Sequence, residues 1–423
     1  MSQHALSCAL ARRTTTSRAG VRMNQWVGRA VGRWMAALAA TLSLGMLGAC
    51  GGGGAAGEPP GVVPSAVTTG FTQGAIGGFG SIFVNGVRFD DSSASVLDDR
   101  GGLRSAQALK LGMQVEIEHS TVDALSGSAR ANVVRFGEAV RGPVSAVDVA
   151  GNAVTVLGQK VLVRDTTVFD ASVSGRLASI QVGMVLEVHG LFDAGLNAVI
   201  ASRIERQLSA TSYKLRGIVA ALNAQSKTFS IGAATINYTS ATDVPAALAN
   251  GLVVRVELLT TPVAGQWQAS EIKGGPTRPA DRLSGHVRGI VTAFTSNASF
   301  SVNGLAVDAR SAAFPDGTAG LALGAWVEVE GTMVNGVLVA SKVEIEASHR
   351  NDDNRKIVLN GDITALSAAA KTLVVKGTTV SFAGTVAYNG GSEAALAVGK
   401  RIQVKGSLAS DGSTVQAVSI RFE

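Results

Sequence analysis

A glycine followed three residues later by a short alternating strand recurs five times, and this repeat constrains the fold more than any other feature. The copies read Gly112-Met-Gln-Val115-Glu-Ile117, Gly183-Met-Val-Leu186-Glu-Val188, Gly251-Leu-Val-Val254-Arg-Val256, Gly324-Ala-Trp-Val327-Glu-Val329 and Gly399-Lys-Arg-Ile402-Gln-Val404. Their glycines are 71, 68, 73 and 75 residues apart. Strict apolar–polar alternation is the pattern of a half-buried strand. Val115 and Ile117 are expected to face a core and Glu116 to face water. Glu187, Arg255, Glu328 and Gln403 share that outward slot.

Other strands recur around this marker. Upstream lie Ile82-Phe-Val84-Asn-Gly86, Val154-Thr-Val156-Leu-Gly158, Phe229-Ser-Ile231-Gly232, Phe300-Ser-Val302-Asn-Gly304 and Leu373-Val-Val375-Lys-Gly377. Each glycine suits the φ > 0 position of a tight hairpin leading into a third strand. Opening strands begin at Gly74, Gly142, Gly217, Gly289 and Gly361, and closing strands start at Ala131, Ala201, Ala269, Ala340 and Ala417. Each unit thus has five strands, with a connection between the third and fourth that has room for one helical turn or a short helix. This is the order of an OB-like barrel, with a small open meander or sandwich as the competing fold. A closed barrel leaves no exposed edges, which keeps tandem copies from pairing with one another.

The expected class is therefore all-β, with five tandem small five-stranded OB-like β-barrel domains. The boundaries read 70–138, 139–207, 208–275, 276–350 and 351–423, called repeats 1 to 5 below. A unit of this size buries only about 60% of its unfolded surface. Beads on a string with some docking are expected, each with its own core. The first unit departs from the others, with a shortened, glycine-rich opening hairpin (Gly74, Gly77, Gly78, Gly80). Linkers at 274–283 and 348–356 are the expected proteolysis sites.

Ahead of the repeats, Arg29 and Arg33 precede an apolar run from Met35 to Leu47. The run is too short to span a bilayer, which takes about 20 apolar residues, and has the length of a secretory h-region. It ends in Leu47-Gly48-Ala49-Cys50, which resembles the lipobox of bacterial lipoproteins. The resemblance implies cleavage between Ala49 and Cys50, a lipid on the Cys50 thiol, and residues 1–49 as signal peptide. Residues 50–69 then form a Gly- and Pro-rich tether. Gly51 stands where an Asp would mark inner-membrane retention, so the cell envelope is expected, the outer membrane rather than the inner. Met23 would start a signal of ordinary length, and Met1 reads as an over-extended start.

Gly-Phe-Gly-Ser81-Ile-Phe-Val-Asn-Gly86-Val-Arg-Phe89, the Gly-x-x-Val-Glu-Val strand and Ala-Ser-Arg-Ile204-Glu205 together resemble a domain family of unknown function. That family occurs in tandem copies in Gram-negative envelope lipoproteins. These motifs imply a scaffold and carry no activity across.

Composition narrows the function. The chain has 37 basic and 31 acidic residues, but six arginines and no acid fall within 1–49. The remainder is formally neutral, and aromatics make up 5%. No nucleic-acid partner is expected, since such binders rely on a basic surface and stacking rings. Cys8 falls in the signal peptide, which leaves Cys50 without a disulfide partner.

No catalytic cluster emerges. His119, His189, His286 and His349 share no metal-ligand spacing, and His119 and His189 read as solvated strand ends near a barrel rim. Asp90-Asp91, Asp98-Asp99 and Asp352-Asp353 are adjacent pairs, whose members point to opposite faces of a strand. Asp352-Asp353-Asn354 lacks the spaced ligands of a calcium loop. The glycines from Gly74 to Gly80 lack the Gly-Lys-Ser/Thr of a phosphate loop. No cofactor, no metal and no enzymatic activity are expected. Trp326 stands out because alternation sets it on the outward face with Glu328 and Glu330. There it serves domain packing or a ligand or partner contact, unless its face is misassigned. The expected function is a non-enzymatic structural or adhesive repeat protein, anchored to the membrane through Cys50 and contacting an envelope protein or glycan. The alternative is an OB-like binder of envelope oligosaccharides or small ions.

Overall fold

Alternation decides the burial of the fourth strand in each unit. In Val185–Asp193, Leu186 and Val188 are fully buried while Glu187 between them is half-buried. The glycine before each such strand has φ between +83° and +89°, a conformation that a side chain rarely adopts and that turns the chain into the strand. The computed structural model describes residues 69–123, 125–173, 175–193, 195–274, 281–346 and 356–423. The signal peptide, Ala49, Cys50 and nearly all of the tether lie outside the described residues, as do most of the two inter-repeat linkers.

Repeat 2 shows the topology. Its opening strand Val140–Asp148 pairs antiparallel with Ala153–Val156, which pairs with Gln159–Leu162. Gln159–Leu162 runs parallel to the closing strand Ala198–Arg206. The closing strand pairs with Val185–Asp193, which returns to Val140–Asp148 and closes the ring. This is the OB strand order, and the fold is all-β with small five-stranded closed barrels. Repeats 4 and 5 follow the same path. In residues 70–136 the opening strand is broken into Gly70–Ala75 and Gly78–Phe79. The third-to-fourth connection holds a single 3-10 turn at Ala106–Ala108 and Glu393–Ala395, and two at Ala171–Val173 and Arg176–Ser179. No α-helix occurs among the described residues.

The opening-strand glycine has a packing role. At Gly142, an added Cβ would lie 2.3 Å from Cγ of Leu157, the buried residue in the hairpin turn. The turn therefore folds back across the strand, and only a residue without a side chain admits it.

Beads with separate cores are not what forms. The buried apolar residues fall into three clusters: repeats 2 and 3 share one, repeats 1 and 5 share another, and repeat 4 joins Phe71 in the third. Nor do the barrels avoid pairing. Gly70–Gln73 runs parallel to Ser284–Val287, Gly78–Phe79 runs parallel to Val358–Leu359, and Val140–Arg141 pairs with Lys214–Leu215. The cause lies in the opening strand, which changes partner midway. In repeat 2, residues 140–143 pair with the fourth strand and 144–148 with the second. The first half keeps an unpaired edge, and a neighbouring repeat takes it.

Repeat 1 touches all four other repeats. Beyond the strand pairings with repeats 4 and 5, Lys110 Nζ lies 3.0 Å from Glu205 in repeat 2. Lys214 Nζ of repeat 3 lies 2.9 Å from Asp99, and Arg282 of repeat 4 lies 2.6 Å from Glu118. The described residues from 69 to 423 belong to one compact unit.

Candidate functional site

Packing barrels around repeat 1 leaves a cavity of about 780 Å³ where repeats 1, 2, 4 and 5 meet. Repeat 1 supplies its opening segment from Gly74 to Gly77, Leu111 and Gly112 before its fourth strand, and Gln114 at the start of that strand. Repeat 2 supplies the end of its third strand and the following loop, Val163 to Thr166, with Ser202 from its closing strand. Repeat 4 contributes Trp326, Arg288 and Glu346, and repeat 5 contributes Ile357 and Leu408. The site therefore lies between barrels, in a place no single repeat could make.

Its wall is polar in a specific way. Arg288 and Glu346 form an ion pair across it. Arg164 Nε, Gln114 Oε1 and Ser202 Oγ are buried without a hydrogen-bond partner. Arg164 and the neighbouring Asp165 both line this wall. A buried polar atom without a partner costs about 1–3 kcal/mol. These three atoms, on Arg164, Gln114 and Ser202, belong to residues of the cavity wall but are themselves closed to solvent. Trp326 is half-buried, begins the fourth strand of repeat 4, and presents a flat apolar face among these groups.

The outward slot of the fourth strands does not face water in repeats 1 and 3. Glu116 and Arg255 are half-buried in a small cleft with Arg216 and Arg135. Burial pushes the Glu116 carboxyl above its usual range, and the three arginines only partly oppose this. The outward faces of the barrels have become contacts between repeats.

Beside that cleft runs a buried charged network. Lys214 bridges Asp99 and Glu138 at 2.9 and 3.1 Å, and Arg141 Nη1 lies 2.9 Å from Glu138. Burial alone raises the Glu138 carboxyl, but Lys214 and Arg141 outweigh it and hold it below its usual value.

The histidines differ from the expectation. His119 is 2% exposed and His189 fully buried, so neither is a solvated strand end. His119 is covered within its own repeat by Gly70, Thr72 and Phe89, and His189 meets the Gly137 carbonyl of repeat 1. His119 Nδ1 lies 2.6 Å from the Ser120 carbonyl, which can only accept, so Nδ1 carries the hydrogen. Its Nε2 accepts from the Thr72 hydroxyl at 3.0 Å, and a neutral ring is fully satisfied. Burial pushes its pKa down accordingly. His286 lies 2.6 Å from Glu328. His349 and Asp352-Asp353-Asn354 lie outside the described residues.

Of the residues singled out in the sequence, Trp326 reaches the cavity and Cys50 and Ala49 fall outside the described residues. Gln114, Arg164 and Ser202 gave no signal, because their meeting depends on how separate barrels dock. The variation of outward polar residues among the copies agrees with one shared site rather than one site per barrel.

A family model described as a domain of unknown function (DUF5666) matches four tandem stretches, residues 141–205, 216–273, 288–344 and 360–421. No curated protein matches the chain.

Proposed function

We propose, from the premise that this chain belongs to the DUF5666 family, that it is an envelope-anchored, non-enzymatic binding protein. Its ligand is an acidic, oligosaccharide-sized molecule held in the cavity between repeats 1, 2, 4 and 5. The observation that carries this reading is Arg164, a half-buried arginine on a cavity wall that it shares with Asp165, Arg288 and Trp326. An arginine fork matches carboxylate geometry with two parallel hydrogen bonds. Trp326 suits the apolar face of a sugar ring. The volume lies within the roughly 300–1,000 Å³ of small-molecule sites.

Lipid on Cys50 would hold the protein at a membrane, the outer membrane by the sorting residue Gly51. A displayed adhesive array is the second reading, favoured by the exposed Leu103, Leu208 and Leu283. The mutual packing of the barrels favours the binding reading over it.

Calorimetric titration with a uronic-acid trisaccharide and its neutral counterpart tests this. The acidic sugar is expected to bind and the neutral one to bind more weakly. Arg164→Ala should lose roughly tenfold or more, since a hydrogen bond to a charged group contributes about 1.5–3 kcal/mol. Equal binding of both sugars, or an Arg164→Ala variant that binds like the parent, would refute the reading. Capture of an envelope protein with no sugar binding would support the adhesive array instead.

A further inference from the structure

We propose that Glu187, His189 and Glu205 bind one divalent transition-metal cation of the zinc type, inside repeat 2 and apart from the cavity. One ligand atom from each residue lies within 4.8 Å of the others. None of the three lines the cavity, so the two proposals stand or fall separately.

The argument starts from the hydrogen atoms of His189. Its Nδ1 lies 3.2 Å from the Gly137 carbonyl, which can only accept, so Nδ1 carries a hydrogen. Its Nε2 then faces Glu187 Oε1 at 3.1 Å and Glu205 Oε1 at 3.9 Å. A neutral ring would set a lone pair against two carboxylates. Switching the hydrogen to Nε2 sets a lone pair against the Gly137 carbonyl instead. His119 escapes this conflict because its second partner is a hydroxyl that can donate. His189 is fully buried, so water does not resolve it. Nε2 and one oxygen of each carboxylate thus converge on one point, where either a proton on Nε2 or a metal ion would meet them, and the way the outer oxygens are held is what points to the metal.

The surroundings suit a metal. A backbone carbonyl holding Nδ1 is the usual outer-shell device that aims Nε2 at a cation. Gln207 Nε2 holds the second Glu187 oxygen at 2.9 Å. Lys110 and Arg203 hold the second Glu205 oxygen at 3.0 and 3.1 Å. Each carboxylate thus keeps one oxygen turned toward His189. Tetrahedral zinc with bonds of about 2.0–2.2 Å needs ligand atoms about 3.3–3.5 Å apart. The spacings of 3.1 and 3.9 Å bracket that value.

Charge selects the class of ion. Lys110 and Arg203 largely neutralise Glu205, and Arg141 Nη1 stands 3.9 Å from Glu187. So little net negative charge with a single imidazole is a poor site for calcium, which takes six to eight oxygens. It suits an ion that draws on nitrogen. Strand pairing builds the site: Glu187 pairs with Glu205 across adjacent strands, and His189 is two residues along from Glu187.

The detergent-solubilised full chain, stripped with a chelator, is titrated with Co²⁺ and then Zn²⁺. One equivalent of Co²⁺ should develop the visible bands of a four-coordinate ion, and Zn²⁺ should displace it. Gln207→Ala should weaken binding about 10- to 100-fold, as outer-shell changes do, and Glu187→Gln by more. His189→Gln should abolish the bands; because that side chain is buried, Glu187→Gln and the parent's own spectrum carry the test if it misfolds. Absence of the bands, equal binding by Glu187→Gln and the parent, or a doubly protonated His189 ring by nitrogen NMR in excess Zn²⁺ would overturn the proposal.

Discussion

Replacing Lys214 with Met probes the packing of repeat 3 on repeat 1. Lys214 Nζ sits between Asp99 of repeat 1 and Glu138, and the three side chains are 8%, 12% and 7% exposed. Breaking a buried ion pair by removing one partner costs about 3–5 kcal/mol, because the remaining charge stays buried. Glu138 keeps Arg141 at 2.9 Å, whereas Asp99 has no second side-chain ion pair among the described residues, so the lower end, about 3 kcal/mol, is expected. The pH dependence has a definite sign. Lys214 is lowered by burial but raised further by Glu138 and Asp99, to above its usual value. Its contribution is present below about pH 10 and is lost as pH rises through the folded-state value. Glu138 is held below its usual value, so its contribution is present above about pH 4 and is lost as pH falls through that lower value. The deficit of Lys214→Met should therefore be widest at neutral pH and shrink in acid. Urea denaturation followed by near-UV circular dichroism at pH 7 and well below pH 4 measures it. The exposed Lys160→Met is the control, expected within about 0.5 kcal/mol of the parent. A Lys214→Met deficit below about 1 kcal/mol at pH 7 would mean that the pair is solvated and repeat 3 undocked.

Two further outcomes are expected. Gly142→Ala, whose Cβ would meet Leu157 at 2.3 Å, should lower stability by about 1–3 kcal/mol; a melting temperature equal to the parent's would refute the fold-back of the hairpin turn. His119, with its pKa pushed down by burial, contributes stability above about pH 6.5 that is lost as pH falls through its lower folded value. Melting temperature should therefore drop on acidification from pH 7 to pH 5, and His119→Gln should flatten that slope; an unchanged slope would count against the buried neutral ring.

The barrel was legible in the sequence and the assembly was not. Leu186 and Val188 announce a core by alternation, and Gly158 announces a hairpin turn, because these are local consequences of one unit's geometry. Alternation gives the face of a strand but not what lies beyond it. Glu116 therefore reads as facing water, although it is half-buried against the arginines of repeat 3, and Lys214, which gave no signal, is buried against Asp99 of repeat 1. The closed barrel was reasoned to leave no edge, yet the opening strand's change of partner leaves half of one free. Trp326 was visible as an aromatic on an outward face. The residues opposite it, Arg164 and Gln114, come from other repeats and share no motif with it. His189 and Glu205 lie sixteen positions apart, and only the antiparallel register brings them together.

Small-angle X-ray scattering from a chain beginning at Pro64 addresses the docking on which the shared cavity depends. Barrels packed as one body of this length should give a radius of gyration of about 21 Å. Barrels strung out without docking would give more than about 30 Å, and in that case no cavity between repeats 1, 2, 4 and 5 would exist.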